Sequence, residues 1–361
     1  MSILYFATSF LFSFVFTLVT IRLAKKFNFV DDPKKRKHPA ALNKKIIPRA
    51  GGLPIYLAFF LASLLFVSFS KNLFGVLIGG LVLVVVGLLD DKFELKNSYK
   101  FLAQLAAAII VVASGIGISY ITNPFQILGL NNTGAVIRLD ELRIVFNFFG
   151  THSILILADL FAVFWIVWVI NMVNFSAGVD GQLGGISLIV LLVIFAESLR
   201  FYPSDPGQTI VTTLSVIGAG ATLGFLIFNI HPAKIFPGDS GSYFLGFLIA
   251  VLSIFSVAKV GTAVLVMAIP LIDGVFTVLR RLFEKKSPFL GDRKHLHHRL
   301  LEIGLSQSQV SLFYWLLCAI LGAIALTLPS EGKVFAGVVV GIIILGGLLW
   351  LNMNLQKEAR K

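Results

Sequence analysis

The chain has 361 residues, of which 57% are hydrophobic and only 13% are charged, and its formal net charge is +12. Soluble globular domains are about 45 to 50% apolar, so this composition excludes an ordinary soluble domain and indicates an integral membrane protein. The net charge does not call for nucleic acid as a partner, because the basic residues crowd into a few loops, as membrane orientation predicts. We therefore expect the lipid bilayer, and no nucleic acid, among its partners.

Apolar runs of near bilayer length follow one another along the chain. About 20 helical residues cross a bilayer core. The runs that we expect to cross it lie near residues 3–23, 52–70, 73–89, 101–121, 153–173, 183–200, 209–229, 242–257, 260–282, 309–328 and 334–354. The single cysteine, Cys318, lies inside one of them and favours neither a disulfide nor thiol catalysis. The sequence thus predicts one all-α polytopic membrane domain, residues 1–361, with about eleven transmembrane helices.

The distribution of Lys and Arg predicts the orientation. With the N-terminus outside, the inner segments are the loops near 22–50, 90–100, 174–182, 230–241 and 283–308 and the C-terminal tail. Of the 30 Lys and Arg residues, 24 fall in these segments or in the helical turn before one of them, as the excess of basic residues in cytoplasmic loops predicts. We expect a protein of the cell inner (plasma) membrane with its N-terminus outside and its C-terminus in the cytoplasm.

Two weaker patterns lie outside the polar clusters. The segment GAVIRLDELRIVFNF, between the fourth and fifth runs, alternates in a way that predicts a short external β-hairpin. The pairs Gly75/Gly79 and Gly220/Gly224 have GxxxG spacing, which favours close helix packing and is compatible with a homodimer.

The apolar run 73–89 ends in two adjacent carboxylates, Asp90 and Asp91. Carboxylates at a helix C-terminus oppose the helix dipole, so the pair needs a cation. That cation is either a nearby lysine, such as Lys92, Lys96 or Lys100, or a divalent metal with a phosphate attached.

Two further inner loops carry polar groups beside glycines. Arg49 and two glycines in IPRAGG lie at the start of a span, where backbone N–H groups and a guanidinium could hold phosphate. The loop NMVNFSAGVDGQLGG contains Asn171, Asn174 and Asp180. These three residues could be helix caps and turn residues, or they could line a pocket that hydrogen-bonds a polar ligand such as a nucleotide sugar.

A third carboxylate, Asp239 in PGDSGS, directly precedes another span. It could cap that helix, but Mg²⁺ prefers one or two carboxylates together with substrate phosphate oxygens, so Asp239 is the strongest candidate metal ligand. The next span contains Pro270, which should kink or break it, and Asp273, which could help to order the following loop.

That loop holds three histidines in HLHH, at positions 295, 297 and 298. No thiol accompanies them, and adjacent histidines rarely all reach one zinc ion. We therefore favour binding of phosphate or substrate, together with Arg293, Lys294 and Arg299, over a zinc site; a solvated loop is the alternative.

Four motifs in register resemble one family: DD at 90–91, NxxNFxxGxDG at 171–181, PGDSGS at 237–242 and HLHH at 295–298. In this order they resemble the polyprenyl-phosphate N-acetylhexosamine-1-phosphate transferases of the glycosyltransferase 4 superfamily, which includes MraY. Eleven spans and the HLHH form are more similar to the WecA/TagO branch, which starts lipopolysaccharide or teichoic acid linkage synthesis, than to MraY.

The resemblance implies transfer of a sugar-1-phosphate, most simply GlcNAc-1-phosphate, from a UDP-sugar to undecaprenyl phosphate, with release of UMP at the cytoplasmic face. It implies Mg²⁺, with Mn²⁺ as an alternative ion, held by Asp239 with Asp91 close by. Asp90 would be the base or positioning group for the lipid phosphate; a covalent aspartyl intermediate stays open.

The resemblance also implies roles for the other candidate residues. Asn171, Asn174 and Asp180 would contact the nucleotide sugar, with Arg49, Lys100 and Arg293 as phosphate or substrate ligands. His295, His297 and His298 would handle the sugar and the diphosphate.

One departure bears on the donor, since this chain reads AGVDG where the family usually has DGxDG. Ala177 therefore leaves open another UDP-N-acetylhexosamine or an inactive homologue. A transporter or flippase would place its ionisable residues near the bilayer midplane, whereas here they gather at one interface.

Overall fold

The computed structural model describes residues 1–33, 45–123, 125, 134, 136–147, 151–200, 206–255, 260–286 and 294–358. Within these residues most of the chain is helical. The helices are α1 (Ser2–Lys26), α2 (Gly52–Phe66), α3 (Lys71–Phe93), α4 (Asn97–Ala113), α5 (Ile156–Phe175), α6 (Gln182–Leu199), α7 (Pro206–Asn229), α8 (Gly238–Ile254), α9 (Val260–Val266), α10 (Ala268–Phe283), α11 (Leu296–Glu302), α12 (Gln307–Thr327) and α13 (Ser330–Glu358).

Helix α8 is the centre of the bundle, because every residue from Ser240 to Ile254 is buried. Helices α2, α3, α5, α6, α7 and α9 all pack against it. Small residues such as Gly246, where an added Cβ would meet the backbone of Ile170 on α5, allow this close packing. Since α8 begins inside the PGDSGS motif, burial of the helix fixes the place of Asp239.

Seven of the helices in the described parts of the chain are long and apolar enough to cross a membrane: α1, α3, α5, α6, α7, α12 and α13. The bent pair α9 and α10 makes an eighth if it counts as one span. Helices α2, α4 and α8 are apolar but shorter, at 15, 17 and 17 residues. The predicted polytopic, helical membrane protein is confirmed, while the count of eleven and the orientation stay predictions.

The span beginning at Val260 is broken, as its proline predicts. Helix α9 ends at Val266, helix α10 begins at Ala268, and their axes differ by 79°. Pro270 has no N–H to give to the carbonyl of Val266, and its ring crowds that carbonyl, so the helix ends four residues before the proline. The bend gives α10 its own direction, and α10 carries Asp273.

The GxxxG pairs pack within the chain. An added Cβ at Gly220 would meet Ser9 and the backbone of Phe6, and one at Gly224 would meet Ser13 and the backbone of Phe10. These contacts join α7 to the buried polar face of α1. Gly75 and Gly79 likewise meet Ser114 on the α4 side and Phe247 on α8. These glycines therefore give no support to a homodimer.

Strands occur in three two-stranded antiparallel sheets within the described residues. Strand β1 (Val30–Asp31) pairs with β2 (Ile47–Pro48), β3 (Tyr120–Thr122) with β4 (Val136–Arg138), and β5 (Arg143–Asn147) with β6 (Thr151–Leu155). A hairpin between α4 and α5 was expected inside GAVIRLDELRIVFNF. Its two strands, β4 and β5, do form there, but each pairs with a strand outside that segment, so the hairpin is β5–β6.

A buried ion pair is formed by residues outside the polar motifs. The Lys333 ammonium on α13 is 2.9 Å from Glu197 Oε1 on α6 and 2.9 Å from Thr262 Oγ1 on α9. It joins α13, most of which faces outward, to two helices of the bundle.

Candidate active site

The end of α3 and the start of α8 meet backbone to backbone. A Cβ at Gly87 would clash with the Ser240 backbone, and one at Gly238, whose φ is +66°, would clash with the Asp91 carboxylate. These two glycines therefore permit an approach that a larger residue would prevent, and Gly238 also takes a left-handed conformation that favours glycine. The approach brings three carboxylates together: Asp90, Asp91 and Asp239.

Asp91 is fully enclosed and holds the first turn of α8. Its Oδ1 accepts a hydrogen bond from the Asp239 N–H at 2.8 Å and forms an ion pair with Arg49 Nε at 2.7 Å. Its Oδ2 accepts from the Ser240 N–H at 3.3 Å and the Ser240 hydroxyl at 3.0 Å. A carboxylate that accepts backbone N–H groups at a helix start satisfies donors that otherwise have no partner.

Asp90 and Asp239 face one ammonium group. Lys100 Nζ lies 3.3 Å from Asp90 Oδ2 and 3.6 Å from Asp239 Oδ2. The second oxygen of Asp90 accepts the Leu95 N–H at 2.8 Å, which fixes the carboxylate at the helix end. Asp239 also accepts the Tyr243 hydroxyl at 3.0 Å. The sequence offered a lysine or a divalent metal as the cation beside the carboxylates, and the structure places Lys100 next to Asp90 and Asp239.

Arg49 bridges the other pair of carboxylates. Its Nη2 lies 3.0 Å from Asp239 Oδ1, on the same guanidinium whose Nε binds Asp91. The backbone of Arg49 is fixed as well, because its N–H donates to Phe29 O at 2.9 Å and it forms a parallel bridge with Phe236. Burial lowers the pKa of the guanidinium, but Asp91 and Asp239 outweigh that effect and raise it above its usual value. Arg49 is therefore a permanent cation beside the carboxylates.

The two asparagines of the third motif have different surroundings. Asn174, at the end of α5, accepts the Ser242 hydroxyl at 2.8 Å and so lies next to the first turn of α8. Asn171 instead donates to Gln104 Oε1 at 2.7 Å and to Val167 O at 2.7 Å. Its amide thus joins α4 to α5, and its predicted contact with the nucleotide sugar stays a prediction.

Asp180 is buried, and its carboxylate contacts two residues of the loop before α8. Asp180 Oδ2 lies 2.7 Å from His231 Nδ1 and accepts the Ala233 N–H at 3.1 Å. His231 was not predicted from the sequence, although it lies in the same inner loop as Asp239 and that position could have revealed it.

The histidine motif is anchored to the broken span. His295 Nδ1 lies 3.0 Å from Asp273 Oδ2, and Asp273 Oδ1 accepts the Leu296 N–H at 2.9 Å. Thr277, one turn further along α10, also reaches His295 Nδ1 at 3.3 Å. The predicted ordering role of Asp273 is therefore visible in its contacts, and the bend of α9–α10 places it there.

The three imidazoles lie next to one another, with His297 in the middle. The rings of His295 and His297 are 5.5 Å apart and nearly parallel, and His297 and His298 are 4.2 Å apart. His297 Nδ1 is buried and has no hydrogen-bond partner within the described residues. Burial, followed by the neighbouring His298 and His295, lowers the pKa of His297 well below its ordinary value, so its ring is neutral at neutral pH.

The turn after α5 lies between the carboxylate cluster and the three histidines. Asn174 contacts Ser242 beside the carboxylates, while an added Cβ at Gly178 would clash with the ring of His297. Ala177, which replaces the usual family carboxylate, is exposed in this turn. Arg293, a predicted substrate ligand, lies outside the described residues. The described parts of the chain hold no group of three or more His, Cys, Asp or Glu arranged around a metal position.

Comparison with known proteins agrees with this combination of a helical membrane bundle and a cluster of carboxylates. Residues 73–257 match glycosyl transferase family 4. The chain is 33% identical over 334 residues to the probable undecaprenyl-phosphate N-acetylglucosaminyl 1-phosphate transferase of Bacillus subtilis, covering 90% of this chain and 84% of the relative.

Two further relatives have names of the same kind. The decaprenyl-phosphate N-acetylglucosaminephosphotransferase of Mycobacterium tuberculosis is 31% identical, over 93% of this chain and 84% of its own. The undecaprenyl-phosphate alpha-N-acetylglucosaminyl 1-phosphate transferase of Escherichia coli K12 is 31% identical, over 87% and 80%. The chain belongs to glycosyl transferase family 4, and the predicted family is confirmed.

Proposed function

We propose that this protein transfers GlcNAc-1-phosphate from UDP-GlcNAc to a polyprenyl phosphate such as undecaprenyl phosphate and so starts a lipid-linked glycan of the cell envelope. The names of its relatives support the reaction. The observation that carries the proposal is the set of three carboxylates joined by Arg49 and Lys100 where α3 meets α8. Phosphoryl transfer depends mainly on positioning and charge neutralisation, and this cluster combines fixed cations with oxygen ligands.

In the proposed reaction an oxygen of the lipid phosphate attacks the phosphorus that bears the sugar. The new P–O bond forms as the bond from that phosphorus to the bridging oxygen of UDP breaks, and UMP leaves with the electron pair. Both reactants are anionic, so their repulsion is the main barrier. Lys100 and Arg49 would offset it, and Asp90 would position the lipid phosphate or accept its proton.

The donor set fits Mg²⁺, which takes one or two carboxylates together with waters and phosphate oxygens. Asp90 and Asp239 already direct oxygens at one cation, Lys100 Nζ, at 3.3 and 3.6 Å. We assign the ion to Asp239 and Asp90. When bound, Mg²⁺ would supply charge that neutralises the diphosphate. Asp91, the other predicted ligand, already accepts three hydrogen bonds from Asp239 and Ser240 and pairs with Arg49, so its assigned role is to hold the start of α8.

The nucleotide sugar would lie along the turn between the carboxylates and the histidines. Asn174 is placed to contact the donor near Asp239, and His295, His297 and His298 form the wall beside Gly178. Asp180 would act through the His231 loop rather than by direct contact. Arg293 remains a proposed substrate ligand from the sequence pattern.

We also propose the finer topology. The seven long apolar helices, the bent pair and the three shorter apolar helices together make the eleven predicted spans. The Lys and Arg bias supports an N-terminus outside, a C-terminus in the cytoplasm and an active site on the cytoplasmic face of the inner (plasma) membrane.

Release of UMP tests the proposal. The full chain in nanodiscs would receive undecaprenyl phosphate, Mg²⁺ and either UDP-GlcNAc or another UDP-N-acetylhexosamine. We expect UMP with UDP-GlcNAc, no release without the lipid phosphate, and loss of release in Asp239→Asn. Release with a different donor only would correct the substrate, and a well-folded protein that neither releases nor binds UMP would refute the proposal.

A further inference from the structure

The β5–β6 hairpin has one face that is apolar and exposed. Ile144 and Ile154 are direct cross-strand partners, so their side chains share a face. They are 54% and 45% exposed. On the other face Val145, which is 55% exposed, is paired with the exposed Ser153, so that face is mixed in polarity. An isolated hairpin has little stability in water by itself, so an exposed isoleucine pair needs a covering surface.

The base of the hairpin is fixed to the first turn of α5. The Ile156 N–H donates to Leu142 O at 2.9 Å, and the Leu155 N–H donates to Asp159 Oδ2 at 3.0 Å. The Leu155 side chain packs on a small buried cluster of Ile118, Leu139 and Ala158. The hairpin therefore cannot turn freely about the start of α5.

Helix α5 continues the exposed apolar positions. Leu157, Leu160 and Phe164 are exposed, and their spacing of three and four places them along one side of the helix. Because α5 is apolar and long enough to cross a membrane, this side faces lipid. Strand β6 ends at Leu155 and α5 begins at Ile156, so the hairpin lies at the end of that lipid-facing surface, at the membrane boundary.

The hairpin and the carboxylate cluster lie at opposite ends of α5. Asn174, near the C-terminus of α5, contacts Ser242 at the start of α8, whereas β6 joins the N-terminus of α5. A helix of 20 residues is about 30 Å long at ~1.5 Å per residue, which is the thickness of the hydrocarbon core.

We propose that the Ile144/Ile154 face of this hairpin is a membrane-binding surface. It inserts into the interfacial region of the bilayer leaflet opposite the proposed active site, and its occupant is lipid rather than another protein. The continuity with the lipid-facing side of α5 is the reason for this choice.

Site-directed spin labelling tests this proposal on the full chain in phosphatidylglycerol/phosphatidylcholine nanodiscs. Nitroxides would be attached at Ile144→Cys and, as controls, at Ser153→Cys on the other face and Leu160→Cys on the lipid-facing side of α5. The natural Cys318 is buried, and the unsubstituted chain measures its background labelling.

We expect the label at 144 to be relaxed more by oxygen than by a water-soluble nickel chelate, as at 160, and the label at 153 to show the reverse. A label at 144 that is as open to the nickel chelate as the one at 153 would overturn the proposal. Protection from both reagents, together with a 144–144 disulfide between copies, would instead identify a second chain as the occupant and overturn it too. Ile154→Cys serves the same purpose if Ile144→Cys does not fold.

Discussion

Arg49 Nε lies 2.7 Å from Asp91 Oδ1, and Nη2 of the same guanidinium lies 3.0 Å from Asp239 Oδ1. One side chain from the loop before α2 thus joins the end of α3 to the start of α8. A rigid fork of N–H donors can bind two carboxylates in this way, which a single ammonium cannot.

We expect Arg49→Ala to lower stability as well as UMP release. Removal of one partner from a buried ion pair costs about 3 to 5 kcal/mol, because the remaining charge stays uncompensated. Arg49→Lys keeps the charge but loses the fork, so its Tm and its turnover should lie between those of wild type and Arg49→Ala. Thermal unfolding in detergent and UMP release measure the two effects. Wild-type Tm and turnover in Arg49→Ala would contradict the proposed role of Arg49 in joining α3 to α8.

Asp91 and Asp239 have different hydrogen-bond partners, so their amide variants should behave differently. We expect Asp91→Asn mainly to lower Tm, because an amide cannot accept the same bonds from the start of α8 without placing its NH₂ group against a donor. Asp239→Asn should lower Tm less, because Arg49 keeps Asp91 and Lys100 keeps Asp90 as a partner, but it should abolish most UMP release and weaken Mg²⁺ dependence. Titration of Mg²⁺ in the assay separates them. The reverse result, with Asp239→Asn unstable and Asp91→Asn stable but inactive, would exchange the two roles.

Most of the fold could be predicted from the sequence because its cause is local. Each of the eleven apolar runs corresponds to a helix or to the bent pair α9–α10, and Pro270 indicates the break. Bilayer length and hydropathy set these elements whatever they pack against. The strands around the hairpin were predicted less well, since pairing partners depend on chain segments far from the alternating pattern.

The motifs predicted which residues belong to the candidate site, but not which atoms those residues contact. The gathering of Asp90, Asp91 and Asp239 matches the motif pattern. Nothing in the sequence near Asp91 shows that its oxygens face the backbone of residues 239 and 240, because that contact depends on how closely α3 and α8 approach. The partner of Asn171, Gln104, is likewise set by the packing of α4 on α5.

The third prediction concerns the contact between Asp180 and His231, and a double-mutant cycle measures the coupling between these two residues. Residues in direct contact usually show coupling of about 0.5 to 3 kcal/mol. We expect Asp180→Asn and His231→Ala each to weaken UMP binding, and the double variant to be little worse than either single one. Isothermal titration with UMP gives the binding free energies of wild type, the two single variants and the double variant.

Gln307 supplies the matched control for this cycle. Its side chain accepts the backbone N–H of Asp180 at 3.3 Å and does not touch the carboxylate. The effects of Gln307→Ala and His231→Ala should therefore add. Additive effects for Asp180→Asn and His231→Ala would show that the hydrogen bond does not position the loop.

The buried pair of Lys333 and Glu197 should act on stability alone. Lys333→Met leaves the buried Glu197 carboxylate with the partly exposed Arg200, whose Nη1 lies 3.4 Å from Glu197 Oε2, in place of its buried cation. We expect a loss of at most about 3 to 5 kcal/mol, visible as a lower Tm. Adding Glu197→Gln should recover much of that loss, since the two neutral side chains no longer need each other. UMP release measured below Tm should stay unchanged in both. A double variant less stable than Lys333→Met would contradict this account.

The neutral His297 ring makes stability sensitive to acid. Its pKa is lowered in the folded state and returns to about 6.5 on unfolding. Below that pH the unfolded chain therefore binds a proton that the folded chain excludes. The stabilising contribution is complete above about pH 6.5 and is lost as the pH falls, by at most about 1.4 kcal/mol per pH unit. His297→Asn should flatten the fall in Tm between pH 7 and pH 5. Leu300→Ala, in the same helix, should lower Tm equally across that range. Equal slopes in wild type and His297→Asn would show that His297 is protonated in the folded protein as readily as in the unfolded chain.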